Sequence, residues 1–331
     1  MTGRELENIL NGIKNVSVCM VGDICLDAYW HADMKLSILS NETPHHPLPV
    51  VREQYSLGGG GNVLANLKAI GAKEVIPVSI LGNDWRGAEV RKCLASLGLS
   101  DEFIVTDGGR VTPCYVKPMR HGISDVVYED PRLDFENRES PSRETESRLI
   151  DALKAAAEKA DIIAVCDQTA FGAISPAVIE FLNETGKTKP VVADSHDHIS
   201  AFKNVIVKPN EREASIALGA DINDPENMAK TFSEKNGVPA IVTIGKLGSV
   251  WCENGKAARI PARKTEEPID IVGAGDTFIS AFCASYATGI PGETALEFAN
   301  LASSVTVKKI GTTGTASPEE IIKAFETGEW L

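Results

Sequence analysis

DIVGAGDTFISAFCASYATG, residues 270–289, decides how this sequence is read. Two glycines around an alanine precede Asp276, and behind it an apolar helical pattern runs to Gly289, a residue suited to a helix C-cap. Gly273, Ala274 and Gly275 carry so little side chain that consecutive backbone N–H groups can face an anion. The N-terminus of the helix adds about half a unit of positive charge at the same point. Such a nest seats a transferring phosphate. An aspartate beside it can accept the proton of an attacking hydroxyl, which in a loose phosphoryl transition state leaves only late. Taken alone, a GxGD is more often a tight turn with a capping aspartate.

A second glycine cluster adds weight. In GGGGNVLANLKAIGA, residues 58–72, four glycines lead into a helix with apolar Val63, Leu64, Leu67 and Ile70 and a Gly71 cap. A dinucleotide fingerprint would need GxGxxG, and neither Gly58 and Gly60 nor Gly59 and Gly61 are followed by the third glycine. A P-loop is excluded because Gly245-Lys246 is followed by Leu247. Around these clusters short β-rich runs alternate with helical patterns: VSVCMVGD, EVIPVSIL, ADIIAVCDQ, PVVADS, NVIVKPN and AIVTIGK. That rhythm builds a parallel sheet through βαβ crossovers, with ligands at the carboxyl ends of its strands. Asp23, Asp167, Asp194, Asn210 and Gly245 all follow such runs. Two stretches, about 28–57 and 110–136, carry strand residues and prolines without crossover helices and read as a separate small sheet, a flap over the cleft.

Composition narrows the function. The 331 residues are 43% hydrophobic and 24% charged, ordinary globular usage, and are expected to form a single domain with the flap segments inserted. A net charge of −13 disfavours nucleic acid or an anionic membrane as partner. No apolar run approaches the roughly 20 residues of a membrane span. MTGRELENILNGIKN reads as an amphipathic helix, not a secretory signal, and the seven scattered cysteines as buried free thiols, so the expected compartment is a reducing cytoplasm.

Together these residues resemble the PfkB/ribokinase family of carbohydrate kinases, over nearly the whole chain and in the family's order. Gly58, Gly59 and Asn62 match its N-terminal signature and GAGD its C-terminal one. KPNERE matches its NxxE motif through Asn210 and Glu213, and VTIGKLGS its TxGxxG nucleotide loop through Thr243, Gly245 and Gly248. The resemblance implies a ribokinase-like α/β three-layer sandwich with a central, mostly parallel sheet and a small β-sheet lid. It implies ATP-dependent phosphoryl transfer to a sugar or sugar-phosphate hydroxyl with Asp276 as base. Asp23, Asp27, Gly58, Gly59 and Asn62 would contact the sugar, Asn210 and Glu213 would hold Mg²⁺ through water, Asn300 would flank adenine, and Asp270 would help bind a monovalent cation such as K⁺. Segments such as GDICLDAYW, RVTPCYVK and PRLDFE resemble the D-glycero-β-D-manno-heptose 7-phosphate kinases. The chain departs from that subgroup at Ala170, where lysine is usual, and, ending soon after ASPEEIIKAF, is expected to be a stand-alone kinase without the cytidylyltransferase often fused to that subgroup. Lys117, Arg110, Arg120 and Arg132 are available for a substrate phosphate, although basic residues on a thin sheet are more often solvated or paired. Open lid edges invite a homodimer. The competing reading is a non-catalytic sugar or nucleotide sensor on the same fold.

Overall fold

The computed structural model describes residues 1–264, 268–311 and 313–328. In chain order the first elements are α1 (Gly3–Ile13), β1 (Ser17–Gly22), β2 (Ile24–Asp33), β3 (Val50–Gly59), α2 (Gly60–Ile70), β4 (Glu74–Gly82), α3 (Trp85–Ser96), β5 (Ile104–Asp107) and β6 (Cys114–His121). Then come β7 (Tyr128–Glu129), β8 (Leu133–Phe135), α4 (Arg143–Lys159), β9 (Ile162–Asp167), α5 (Pro176–Thr185), β10 (Val191–Ser195), β11 (Ile206–Val207), α6 (Glu211–Leu218) and α7 (Pro225–Asn236). The remainder is β12 (Ala240–Thr243), β13 (Ser249–Glu253), β14 (Lys256–Ile260), α8 (Ala274–Tyr286), α9 (Gly292–Thr306) and α10 (Pro318–Thr327).

Six strands form a parallel sheet in the order β11-β10-β9-β1-β4-β5. β1 is buried along its whole length, and its side chains alternate between two cores. Val18 and Met20 pack with α1, α2, α8 and α9, whereas Cys19 and Val21 pack with α4, α5 and α7. This is the three-layer sandwich that the family resemblance implies, built on the parallel sheet expected from the βαβ rhythm. An antiparallel sheet of β12, β13 and β14 continues beside β11, joined by a bridge from Asn210 to Thr243. The sequence direction of strand order reverses at β1, so the crevice between the carboxyl ends of β1 and β9 is where such a fold binds ligands. Gly22 closes these two strands on each other: at φ +147° it leaves no room for a Cβ, which would stand 2.0 Å from the Cys166 carbonyl oxygen.

The second sheet is the lid. β2 leaves β1 after the single residue Asp23 and pairs antiparallel with β3 and parallel with β6, which β7 and β8 complete on its far side. Direct pairing of Asp27 with Tyr115 and of Tyr29 with Lys117 puts these four side chains on one face. The seven cysteines are unpaired, and all but Cys93 are buried. One boundary differs from the sequence reading. α8 ends at Tyr286 on an ordinary right-handed Ala287, and Gly289, at φ +86°, turns the chain two residues later.

α2 owes its place to its apolar stripe. Leu67→Ala, at a fully buried position, is expected to cost about 2–5 kcal/mol, seen as a lower urea midpoint at unchanged slope. A loss under about 1 kcal/mol would mean that the α2 face is not tightly packed.

Candidate active site

Asp276 is the third residue of α8, where backbone N–H groups have no partner within the helix. Gly273 precedes the helix at φ +79°, a conformation that favours glycine, and Ala274 donates its N–H back to the Ile271 carbonyl (3.1 Å). The aspartate is held from the side by α2. Asn62 Nδ2 donates to Asp276 Oδ2 (3.1 Å), the next residue Thr277 donates to Oδ1 of Asn66, one turn along α2 (3.1 Å), and Ser280 donates to the Val63 carbonyl (3.1 Å). Burial, followed by the negative charge of Asp194, pushes the Asp276 carboxyl up to about 7, against the opposing effects of Asn62, Lys208 and His196.

Sequence reasoning did not single out Lys208, yet it sits at the heart of this cluster. Its Nζ lies 2.9 Å from Asp194 Oδ2, with the two residues only 3% and 7% exposed. Burial works against the lysine's charge, and the surrounding acids, Asp194 first and then Glu213 and Asp276, together more than offset it, so its pKa stays above the usual value. The available signal was a lysine directly after an apolar run, in KPN. Asp194 Oδ2 is also 4.0 Å from where a Cβ on Gly275 would stand, so the ion pair borders the nest.

The residues expected to meet a sugar fall into two groups. Asp27 lies in β2, 3.6 Å from Lys117 Nζ, which also donates to the Tyr29 hydroxyl (3.1 Å). Gly58 faces it, since a Cβ there would stand 2.9 Å from Asp27 Oδ2. Asp23 is placed differently from its expected role. Its Oδ2 accepts from the Gln168 N–H (2.9 Å), the Thr169 N–H (2.8 Å) and the Thr169 hydroxyl (3.0 Å), and its Oδ1 from the Ala173 N–H (2.7 Å). A carboxylate so engaged, and 4% exposed, is committed to the loop after β9. Of the lid cations, Arg132 pairs with Asp134 (2.6 Å) and Arg120 with Asp130 (2.7 Å), while Arg110 donates to backbone carbonyls of Glu139 and Phe171.

The other candidates line the far side of the β10 and β11 ends. Asn210 and Glu213 form a reciprocal cap of α6, each side chain accepting from the other's N–H (2.9 Å), which leaves Glu213 Oε1 turned toward His196 Nε2 (3.9 Å). Thr243 donates its N–H to the Pro209 carbonyl (3.0 Å), bringing the VTIGKLGS loop beside this cap. Gly245 and Gly248 both have positive φ, and Gly248 packs so closely on the Ile260 carbonyl that a Cβ would clash at 2.1 Å. Asn300 is buried and donates to Ser249 Oγ (3.2 Å) and to the carbonyls of Ile260 (3.2 Å) and Pro261 (3.3 Å). Asp270 ties the approach to α8 to the turn after α9, accepting from Val272 (3.0 Å) and Gly311 (3.0 Å). Among the described residues no three His, Cys, Asp or Glu side chains are grouped to hold a metal by themselves. The free carboxylate oxygen of Glu213 suits a hard cation that keeps most of its water and phosphate ligands.

Residues 18–320 match the pfkB family carbohydrate kinase. The bifunctional protein HldE of Citrifermentans bemidjiense is 32% identical over 97% of this chain, which spans about two thirds (66%) of that relative's length. Among solved structures, the phosphofructokinase-2 of Escherichia coli in complex with substrates and products superposes with a TM-score of 0.71 at 16% identity, covering 94% of this chain and 99% of that one. The Arabidopsis thaliana ribokinase complexed with ribose and ATP gives 0.67 at 18% identity, covering 94% and 99%. No described helix is long and apolar enough to cross a membrane.

The raised Asp276 carboxyl has a consequence for stability. Because the folded state holds this proton more tightly than an unfolded aspartate of ordinary pKa 3.8, stability falls as pH rises through the window from there to about 7. Between pH 5 and pH 8 the urea midpoint of the unaltered chain should therefore fall further than that of Asp276→Asn. Parallel midpoints would show that Asp276 titrates normally.

Proposed function

The chain belongs to the pfkB family of carbohydrate kinases, and from that premise we propose that it moves the γ-phosphoryl group of ATP onto a sugar or sugar-phosphate hydroxyl, with Asp276 as general base. The observation that carries the reading is Asp276 itself, held by Asn62 at the N-terminus of α8 with its carboxyl pushed up to about 7. A base whose pKa lies near the working pH combines sufficient ionisation with sufficient proton affinity. The acceptor hydroxyl gives its proton to Asp276 as its oxygen bonds to the γ-phosphorus and the bond from that phosphorus to the β–γ bridging oxygen breaks, so that ADP leaves with the bridging electrons. The N–H groups of Gly275 and Asp276 face the phosphoryl oxygens, and Lys208, kept charged by Asp194, adds positive potential beside them. Bound Mg²⁺, reached through water from Glu213 and Asn210, would neutralise phosphate charge. Thr243, Gly245, Gly248 and Asn300 line the nucleotide side, and Asp270 shapes a monovalent-cation site next to the nest.

A heptose 7-phosphate is the acceptor this reading favours, because of the resemblance of the lid segments and the HldE relatives. Lys117, within reach of Asp27 on the lid, would meet the phosphate. A single cytoplasmic domain is the proposed organisation. The exposed edge strand β3, with Val50 and Val51, and exposed Leu36, Ile38 and Leu39 before it, favour a homodimer through the lid.

Purified protein assayed for ATP consumption with Mg²⁺ and K⁺, across free and phosphorylated hexoses, pentoses and heptoses, tests the proposal. Asp276→Asn should lower turnover about 10²–10⁴-fold while ATP still binds, and turnover of the unaltered chain should rise with pH through about 7. Unchanged turnover in the variant would remove Asp276 from the chemistry. Binding without turnover by the unaltered chain would favour a sensor. Lys117→Ala should raise KM about tenfold for phosphorylated sugars only, roughly 1.4 kcal/mol; an equal rise for free sugars would place the phosphate elsewhere.

A further inference from the structure

The nest before Asp276 leans on a turn from further along the chain. Asp270 donates its N–H to the Val307 carbonyl (2.8 Å) and accepts from the Gly311 N–H (3.0 Å), and Ser303 donates its hydroxyl to the Ala274 carbonyl (3.3 Å). Thr313 lies against Gly273, where a Cβ would stand 3.3 Å from Thr313 Cγ2. The end of α9 and the turn after it therefore meet the nest segment at both of its ends.

One lysine closes that turn. Lys309 Nζ donates to the Thr315 carbonyl (2.6 Å) and lies 2.6 Å from Glu320 Oε1 on α10. Its stem runs along Gly314, since a Cβ there would stand 2.6 Å from Lys309 Cδ, 2.9 Å from its Cβ and 3.2 Å from its Cγ. Glu320 is fixed in turn, its Oε2 accepting the Ser317 N–H (2.9 Å) in the capping box of α10. An ion pair as exposed as this one, 32% and 41% at the two side chains, adds little stability by itself. With its stem laid on a glycine and its ammonium shared between a carbonyl and a capped carboxylate, the lysine instead sets the path of the turn.

We infer that Lys309 is a positioning residue for phosphoryl transfer: by clasping Thr315 and Glu320 it sets the turn that seats Thr313 against Gly273, and so aims the N–H groups of the nest. This inference rests on the kinase reading and deepens it, adding a group that acts on the transferring phosphate without touching it. Donors held in place toward developing charge act on the transition state more than on the bound ground state, so loss of the clasp is read in kcat rather than in KM.

The test compares Lys309→Met, which keeps the stem and loses the ammonium, Lys309→Arg, which keeps the charge, and Gly314→Ala, whose methyl takes the place of the stem. With ATP and the acceptor that the unaltered chain turns over best, Lys309→Met and Gly314→Ala should each lower kcat about tenfold and leave both KM values unchanged. The double variant should fall no further than Lys309→Met alone, because both changes break one clasp, and Lys309→Arg should recover most of the loss. Amide exchange across residues 270–277 should speed in Lys309→Met and Gly314→Ala and stay near the unaltered rate in Lys309→Arg. Unchanged kcat in Lys309→Met, an equal loss in Lys309→Arg, or a loss confined to KM overturns the positioning role. Absence of ATP consumption by the unaltered chain with every sugar sinks the kinase reading and the catalytic part of Lys309 with it, whereas the exchange measurement judges the clasp regardless: an unchanged rate in Lys309→Met and Gly314→Ala overturns it.

Discussion

A carboxylate taken partly out of water beside other acids is costly unless its surroundings are organised around it. Asp276 is such a group, and much of the molecule is arranged around it. α8 offers its positive end, α2 is bolted alongside by three polar contacts, and Asp194 and Lys208 bring opposite charges to the same spot. Four small residues at the head of α2 let that helix approach. A Cβ on Gly61 would stand 2.5 Å from Leu57 Cβ, and one on Gly60 2.9 Å from Met20 Sδ, so larger residues would push α2, and Asn62 with it, away from Asp276.

The parts legible in the sequence are those where the backbone itself demands a residue type. Gly273, Gly245 and Gly248 stand at positive φ, where glycine is favoured, and a motif of glycines therefore records a shape. Buried strands such as β1, β9 and β10 were legible as apolar runs because both their faces are covered. Asp23 shows the limit. An aspartate at the end of a strand looks the same in sequence whether it accepts hydrogen bonds from a ligand or from a loop arriving about 145 residues later, and only the fold distinguishes them. Lys208 escaped notice for the same reason. Its neighbour, Asp194, is contributed by another strand, and no local spacing encodes that meeting.

Charge pairing holds the basic groups of this acidic chain in place. Lys208 and Lys117 each lie against an aspartate, and Arg132 and Arg120 are tied to acids of the lid itself, so the basic groups are held in place before any ligand arrives. The Lys208–Asp194 and Lys117–Asp27 pairs, largely buried, lose less to solvent screening than the exposed Arg132–Asp134 pair.

β2 leaves the core directly after Asp23, so the lid sheet grows from the central strand, yet none of the three contacts that lock α2 to α8 involves a lid residue. Mutational drift in the lid can therefore proceed while the Asp276 cluster stays intact. An ancestral scaffold of this kind could acquire new substrates by exchanging strands and loop tips, inheriting its chemistry unchanged.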